Sequence, residues 1–359
     1  MELTTKPDFE RCMDRIEAWW GRQIIDRPPV TINVRPARPG RNVPTPAAGL
    51  RDRWLNAEWC MDRMEASVEN GVFLAETFPR YLANLGPEIC STAYGAELQF
   101  GETTSWSVPV AAGIRDVLKM QPNLDCFYWN WIRRATELSL ERGAGKWLTL
   151  QADLHTNGDL LASLRDPQNF ALDFMDDFEG VVAACRHVTP VIKVFLDDLQ
   201  KRLDRVQGGI TGTWGVAISR RPTYYVSCDF ICMISPAMFR PTILPILEWE
   251  IGQLERTIFH LDGPRALVHL DDLLATRLNA VQWTFGAGSG PARRWIDVYK
   301  RIQAAGKGIE VHAEDLADAR AVMEHVKPEG TYFLLGGSYS RAEAEAFLAE
   351  TARWAAGKK

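Results

Sequence analysis

NAVQWTFGAGSGPARRWIDVYKRIQAAGKGIEVH, residues 279–312, reads as strand, helix, strand. NAVQWTF (279–285) and GIEVH (308–312) have strand length and β-branched or aromatic composition. PARRWIDVYKRIQAAG (291–306) repeats its apolar residues at helical spacing. Outward from this unit the alternation recurs. Strand-like runs stand at PPVTINV (28–34), GVFLAETF (71–78), KWLTLQADL (146–154), GITGTWG (209–215), TYYVSCD (223–229), RTIFHLD (256–262) and TYFLLGG (331–337). Amphipathic helical stretches fall at 236–255 and 316–326. Repeated units of this kind imply a parallel sheet covered by helices, and about eight strands close most economically into a (β/α)8 TIM barrel. An open doubly wound sheet has the same local pattern. Nine runs exceed eight strands, so at least one is a hairpin or no strand at all.

The remaining segments decorate one continuous domain, residues 1–359. Residues 1–26 read as an N-terminal helical extension, and 35–51 as an extended proline-rich loop. Residues 80–120 are rich in turn residues and aromatics. With the stretch up to 145 they read as an insertion (80–145) over the barrel mouth at the C-terminal face.

The chain has 359 residues, 46% hydrophobic and 24% charged, enough to bury a large core. A net charge of -5 and a pI near 5.8, with charges of both signs interleaved, offer no basic stripe to nucleic acid. The expected partner is a small molecule. The charged N-terminus and the lack of a long apolar window fit a cytoplasmic protein without a membrane span. Seven scattered cysteines read as reduced thiols, and the Cys228/Cys232 pair as packing rather than zinc ligands. GAGSG (286–290) lacks the lysine of a phosphate loop and the spacing of a dinucleotide fingerprint.

In a barrel of this kind chemistry belongs at the C-terminal strand ends, and polar residues gather there: Glu76, Asp153 and His155, Trp214, Asp229, His260 and Asp262, Gln282 and Trp283, His312. His260 and Asp262 lie two apart on one strand, so both side chains leave the same face, roughly 6.5 Å apart along the backbone. Gly263 then permits a sharp turn. The pair suits a metal or an acid/base dyad; the alternative is a simple Asp-Gly-Pro turn. HLDDLL (269–274) repeats the spacing in a helix: Asp271 or Asp272 reaches the same site, orients His260, or lies on a solvated face. Asp153, His155 and Asp229 are candidate catalytic residues; a helix starting at Gly158 or Asp159 either accepts an anion at its N–H groups or is capped by Asp159. Trp214, Gln282 and Trp283 are candidate cofactor contacts at the mouth, where a tryptophan forms a flat wall. Glu76 and Asp153 also admit a glycoside hydrolase, given two carboxylates facing across a cleft.

The order LANLGP (82–87), LHTNGDLLASLRDP (154–167), CDFICMISPAMFRPTILP (228–245), FHLDG (259–263), NAVQW (279–283) and IQAAGKG (302–308) resembles the uroporphyrinogen decarboxylase superfamily over most of the chain from residue 27. The resemblance implies a (β/α)8 barrel and one of two chemistries: cofactor-free decarboxylation of tetrapyrrole acetates, or zinc-dependent methyl transfer between a thiol and a corrinoid protein. The decarboxylases' arginine-rich N-terminal motif is missing here, and LLGGSYS (334–340) has no histidine. The methyltransferase branch implies a His-x-Cys pair followed by glycine and a later cysteine. FHLDG places His260 and Asp262 on that pattern, with aspartate for cysteine, and Gly336 and Gly337 stand in the region of the later cysteine. The expectation is therefore a metal-dependent methyltransferase, with a divalent metal such as zinc on His260 and Asp262 and a corrinoid supplied by a partner protein. The alternatives are a metal-free decarboxylase or lyase acting on a tetrapyrrole-like or small carboxylated substrate, and a ligand-binding barrel without turnover. A homodimer is the default assembly.

Overall fold

A computed structural model describes residues 2–38, 40–46 and 49–357. Its strands are β1 Val30–Thr31, β2 Arg80–Leu82, β3 Leu148–Leu150, β4 Thr223–Ser227, β5 Arg256–Asp262, β6 Ala280–Thr284, β7 Gly308–Ala313 and β8 Thr331–Leu335. Six of them form one parallel sheet in the order β1-β8-β7-β6-β5-β4, and β2 pairs in parallel with β3. Two joints close the ring. Thr31 bridges to Ala75 between β1 and β2, and Gln151 N–H donates to the Gly212 carbonyl beside β3 at 2.9 Å. The fold is a (β/α)8 barrel.

Two of the sequence's strand-like runs are not barrel strands. In GVFLAETF only the Ala75 bridge forms, and the strand lies later at Arg80–Leu82, inside the stretch expected to be an insertion. GITGTWG contributes a bridge from Thr211 to Ser219 and folds inward, so that Trp214 and Val216 enter the barrel. Beyond β2, a short antiparallel hairpin (Leu98–Phe100 with Ser105–Ser107) lies outside the barrel ring. The helix Phe127–Arg142, also within 80–145, packs on the helical layer and donates from Trp129 to Asp198 at 2.9 Å.

Strand alternation divides the core. Phe259, Leu261, Val281, Trp283, Ile309 and Val311 face the surrounding helices. Ile258, Ala280 and Tyr332 point into the lumen, where the helix α1 (Phe9–Trp20) closes its N-terminal end. α1 buries Cys12, Ile16 and Trp19, and the Trp19 indole donates to the Gly330 carbonyl at 2.9 Å. Each fully buried side chain of this size contributes about 1.5–3 kcal/mol. Just above this plug, Glu76 is wholly buried and held by Arg27, Arg15 and the Val30 N–H. A carboxylate so engaged cannot serve a hydrolase; breaking such a buried pair costs about 3–5 kcal/mol. Among the described residues, no helix is long and apolar enough to cross a membrane.

Candidate active site

The site sits at the C-terminal ends of β3, β4 and β5. β5 presents His260 and Asp262 on its lumen face, and Gly263 turns the chain away with φ +78°. β4 runs directly into Asp229, at the start of a short 3-10 turn. The loop after β3 carries Asp153 and His155, and Asp159 follows one turn into the helix Asn157–Arg165. These residues come together around Asp229. Ligand atoms of Asp229, His260 and Asp262 all lie within 4.8 Å of one another, and the same holds for Asp229, His155 and Asp159. No cysteine joins either group among the described residues.

The two histidines differ in what their nitrogens do. His155 Nε2 lies 3.3 Å from Asp153 Oδ1, and its Nδ1 lies 3.2 Å from Asp159 Oδ2. Burial opposes its charge, yet the two carboxylates outweigh that and hold its pKa well above the ordinary value. His155 is thus an imidazolium whose two N–H groups are already engaged. Burial also works against Asp159, but the His155 contact and N–H bonds from Asp229 and Phe230, at 3.0 and 2.9 Å, keep it ionised with a lowered pKa.

His260 has one nitrogen to spare. Its pKa is lowered, chiefly by burial, so the ring is neutral near pH 7. Nδ1 lies 2.5 Å from Gln282 Oε1, which makes Nδ1–H the donor and leaves the Nε2 lone pair free. The amide cannot turn round, because Gln282 Nε2 donates to Glu310 Oε2 at 2.7 Å and the Tyr225 hydroxyl occupies Oε1. Strand register builds this chain: His260 stands opposite Gln282, and Gln282 opposite Glu310. Burial raises the Glu310 pKa to about 7, against the pull of Tyr225 and Gln282. An imidazole oriented this way through its other nitrogen is the usual condition of a metal-ligating histidine.

Asp229 is open to solvent at the mouth, though surrounded by protein and by Asp159, and both push its pKa upward. A cation here would relieve that repulsion. Beneath the loop, the fully buried Glu250 accepts from Thr156 Oγ1 at 2.6 Å and Asn157 Nδ2 at 2.9 Å. Asn157 also donates to the Ser227 carbonyl at 2.9 Å and holds a left-handed φ of +58°. Glu250 therefore ties the His155 loop to the end of β4.

The other expected residues separate. Trp214 packs edge-on to His260, with ring centroids 4.8 Å apart. Gln282 supports His260 from behind. Trp283 faces the opposite way: it is wholly buried against Trp295 in the helical layer, because adjacent residues of one strand point to opposite faces. Its ring therefore cannot reach the lumen, the side on which Gln282 lies. Asp271 and Asp272 pair outside the site with Arg301 and Arg240, at 2.6 and 3.0 Å. Glu250 and Glu310 were not singled out from the sequence, although a glutamate in the middle of an apolar strand, as in GIEVH, is a readable signal.

No family model and no curated protein sequence matches the chain. The fold is shared with a methyltransferase. A methyltransferase from Methanosarcina mazei aligns with a TM-score of 0.61 at 12% identity, over 95% of this chain and 98% of that one. A B12-independent methionine synthase from Shewanella sp. W3-18-1, in complex with selenomethionine, aligns with a TM-score of 0.42 at 10% identity, over 93% and 97% of the two chains. The first likeness spans nearly the whole chain. It agrees, at the level of fold, with the barrel implied by the motif order.

Gln282→Leu tests the orienting chain on its own. Removing the acceptor of His260 Nδ1–H lets the ring turn and change tautomer, so metal affinity is expected to fall by about 10–100-fold, the usual cost of losing such a partner. Competition against a chromophoric chelator measures it, and an unchanged affinity would mean that Gln282 only packs.

Proposed function

We propose that this barrel is a metal-dependent methyltransferase that moves a methyl group between a small molecule or thiol and a corrinoid supplied by a partner protein. The observation that carries the reading is the free Nε2 of His260 converging with the carboxylates of Asp262 and Asp229. One imidazole and two carboxylates suit zinc with an open position, and oxygen donors also admit harder divalent ions. The shared fold with the Methanosarcina methyltransferase supports the choice of reaction. When bound, the ion supplies Lewis acidity toward the donor atom.

The chain's own residues do the rest. Gln282 fixes which His260 nitrogen faces the mouth. Trp214 walls that ring and limits water on its inner side. Asp159 pins the Asp229 turn through two backbone N–H bonds, and the His155 imidazolium balances part of the carboxylate charge.

A metal-free carboxy-lyase is the second reading. It is favoured by one observation, the cluster of His155, Asp159 and Asp229, in which Asp229 can exchange a proton without a metal. One preparation separates the two. Protein purified without chelator is expected to carry near-stoichiometric zinc or another divalent ion and, with a thiol, to change the visible spectrum of methylcobalamin. No metal after reconstitution, together with no spectral change, would overturn the methyltransferase reading.

A further inference from the structure

Behind His260 the lumen holds a cavity of about 440 Å³, lined among others by Thr31, Asn33, Arg80, Trp214, Gln282 and His312. Two of its lining residues touch the site just described: Trp214 packs on His260, and Gln282 holds it. Arg80 is the feature that the proposed metal centre does not use. Its guanidinium donates to the backbone carbonyls of Gly215 and Trp214, and among the described residues it has no carboxylate partner at ion-pair distance. Two carboxylates are near, and neither is available. Glu76 is held by Arg15 and Arg27, and the oxygens of Glu310 are taken by Tyr225 and Gln282.

Two further polar atoms are left over. Trp214 Nε1 and His312 Nε2 are both buried without a hydrogen-bond partner, although each residue lines the cavity. Buried polar groups rarely stay unpaired, and each one costs about 1–3 kcal/mol if it does. Burial keeps the His312 ring neutral at pH 7, and in its Nε2–H tautomer it has one hydrogen to donate. His312 also borders the outer pocket formed by Thr284–Gly288 and Gly290, so it stands between that pocket and the lumen. A cation without a carboxylate partner, an orphaned indole N–H and, in its Nε2–H tautomer, a neutral imidazole, all lining one cavity, make a receptor for a planar anion.

We propose that this cavity binds the carboxylate of the small-molecule substrate, with Arg80 as counter-ion and Trp214 Nε1 and His312 Nε2 as hydrogen-bond donors. The substrate is then a small organic acid whose far end, carrying the group that reacts, lies at His260. The inference rests on the proposed function for the placing of that far end; the binding of the carboxylate does not depend on a metal.

The probes are benzoate and butyrate, each against its own amide, titrated by calorimetry into full-length protein with and without zinc. In metal-free protein at least one acid is expected to bind more tightly than its amide by about tenfold or more. Arg80→Gln should bring that acid down to the level of its amide. Trp214→Phe, which removes only the indole N–H, should weaken the acid and leave the amide unchanged; it tests the site even if the Arg80 variant does not fold. A carboxylate that simply ligates zinc would bind only to zinc-loaded protein and would ignore Arg80→Gln, which would overturn the proposal. So would equal binding of both acids and their amides. A protein that binds no metal yet prefers the acid would keep this site and remove the methyltransferase reading alone.

Discussion

His260→Ala and Asp262→Ala are each expected to lower zinc affinity by roughly three orders of magnitude, well beyond the 10–100-fold attached to an outer-shell partner. Methyl transfer should fall with it. Each variant removes one of three converging donors, and neither residue belongs to the fully buried core, so the barrel should survive both. His155→Gln is the informative control. His155 is also within ligand distance of Asp229, but both its nitrogens already face carboxylates, so this variant should keep its zinc while its activity changes. Chelator competition on the three proteins decides between the two histidines. Zinc lost from His155→Gln and retained by His260→Ala would move the centre to the β3 loop.

The second large effect is on stability, and it depends on pH. Burial pushes the Glu250 pKa up to about 8, against the opposing bonds from Thr156 and Asn157, while in the unfolded chain it returns to about 4.5. The folded state therefore holds a proton that the unfolded state has released between those two values. Stability from this group is complete below about pH 4.5 and is lost as pH rises through 8. At 1.36 kcal/mol per unit the loss is on the order of 5 kcal/mol. Glu310, raised to about 7, adds a smaller slope of the same sign. Glu250→Gln removes the first share. Urea unfolding at pH 5, 6.5, 8 and 9 should show the variant gaining on the wild-type protein with each step up to pH 8 and levelling beyond. A constant difference across that range would mean that Glu250 is ionised in the fold.

The barrel and its reactive end were legible because strand and helix periods are local. FHLDG gave a strand, two side chains on one face and a glycine turn, and β5 has all three. What escaped was set by neighbours distant in sequence. Trp214 reaches His260 only because residues 209–217 fold into the lumen instead of forming a strand. His155 looked equivalent to His260 until Asp159, four residues on in the next helix, was seen to occupy its second nitrogen. Glu250 lies in the apolar helix Ile243–Gly252, where its partners Thr156 and Asn157 are more than ninety residues away. Trp283 is different: Gln282 and Trp283 are consecutive in a strand, so the strand period alone puts them on opposite faces.

The N-terminal helix has a bearing on biosynthesis. The Trp19 indole finds its acceptor at Gly330, a sequence separation of 311 residues, and its ring packs on Tyr332 of the final strand. At about 5–20 residues per second, translation leaves roughly 15–60 s between the emergence of α1 and that of its seat. Throughout that time Phe9, Ile16, Trp19 and Trp20 have no completed floor to cover, so α1 is made long before it can dock, and a chaperone meeting the nascent chain would meet it there.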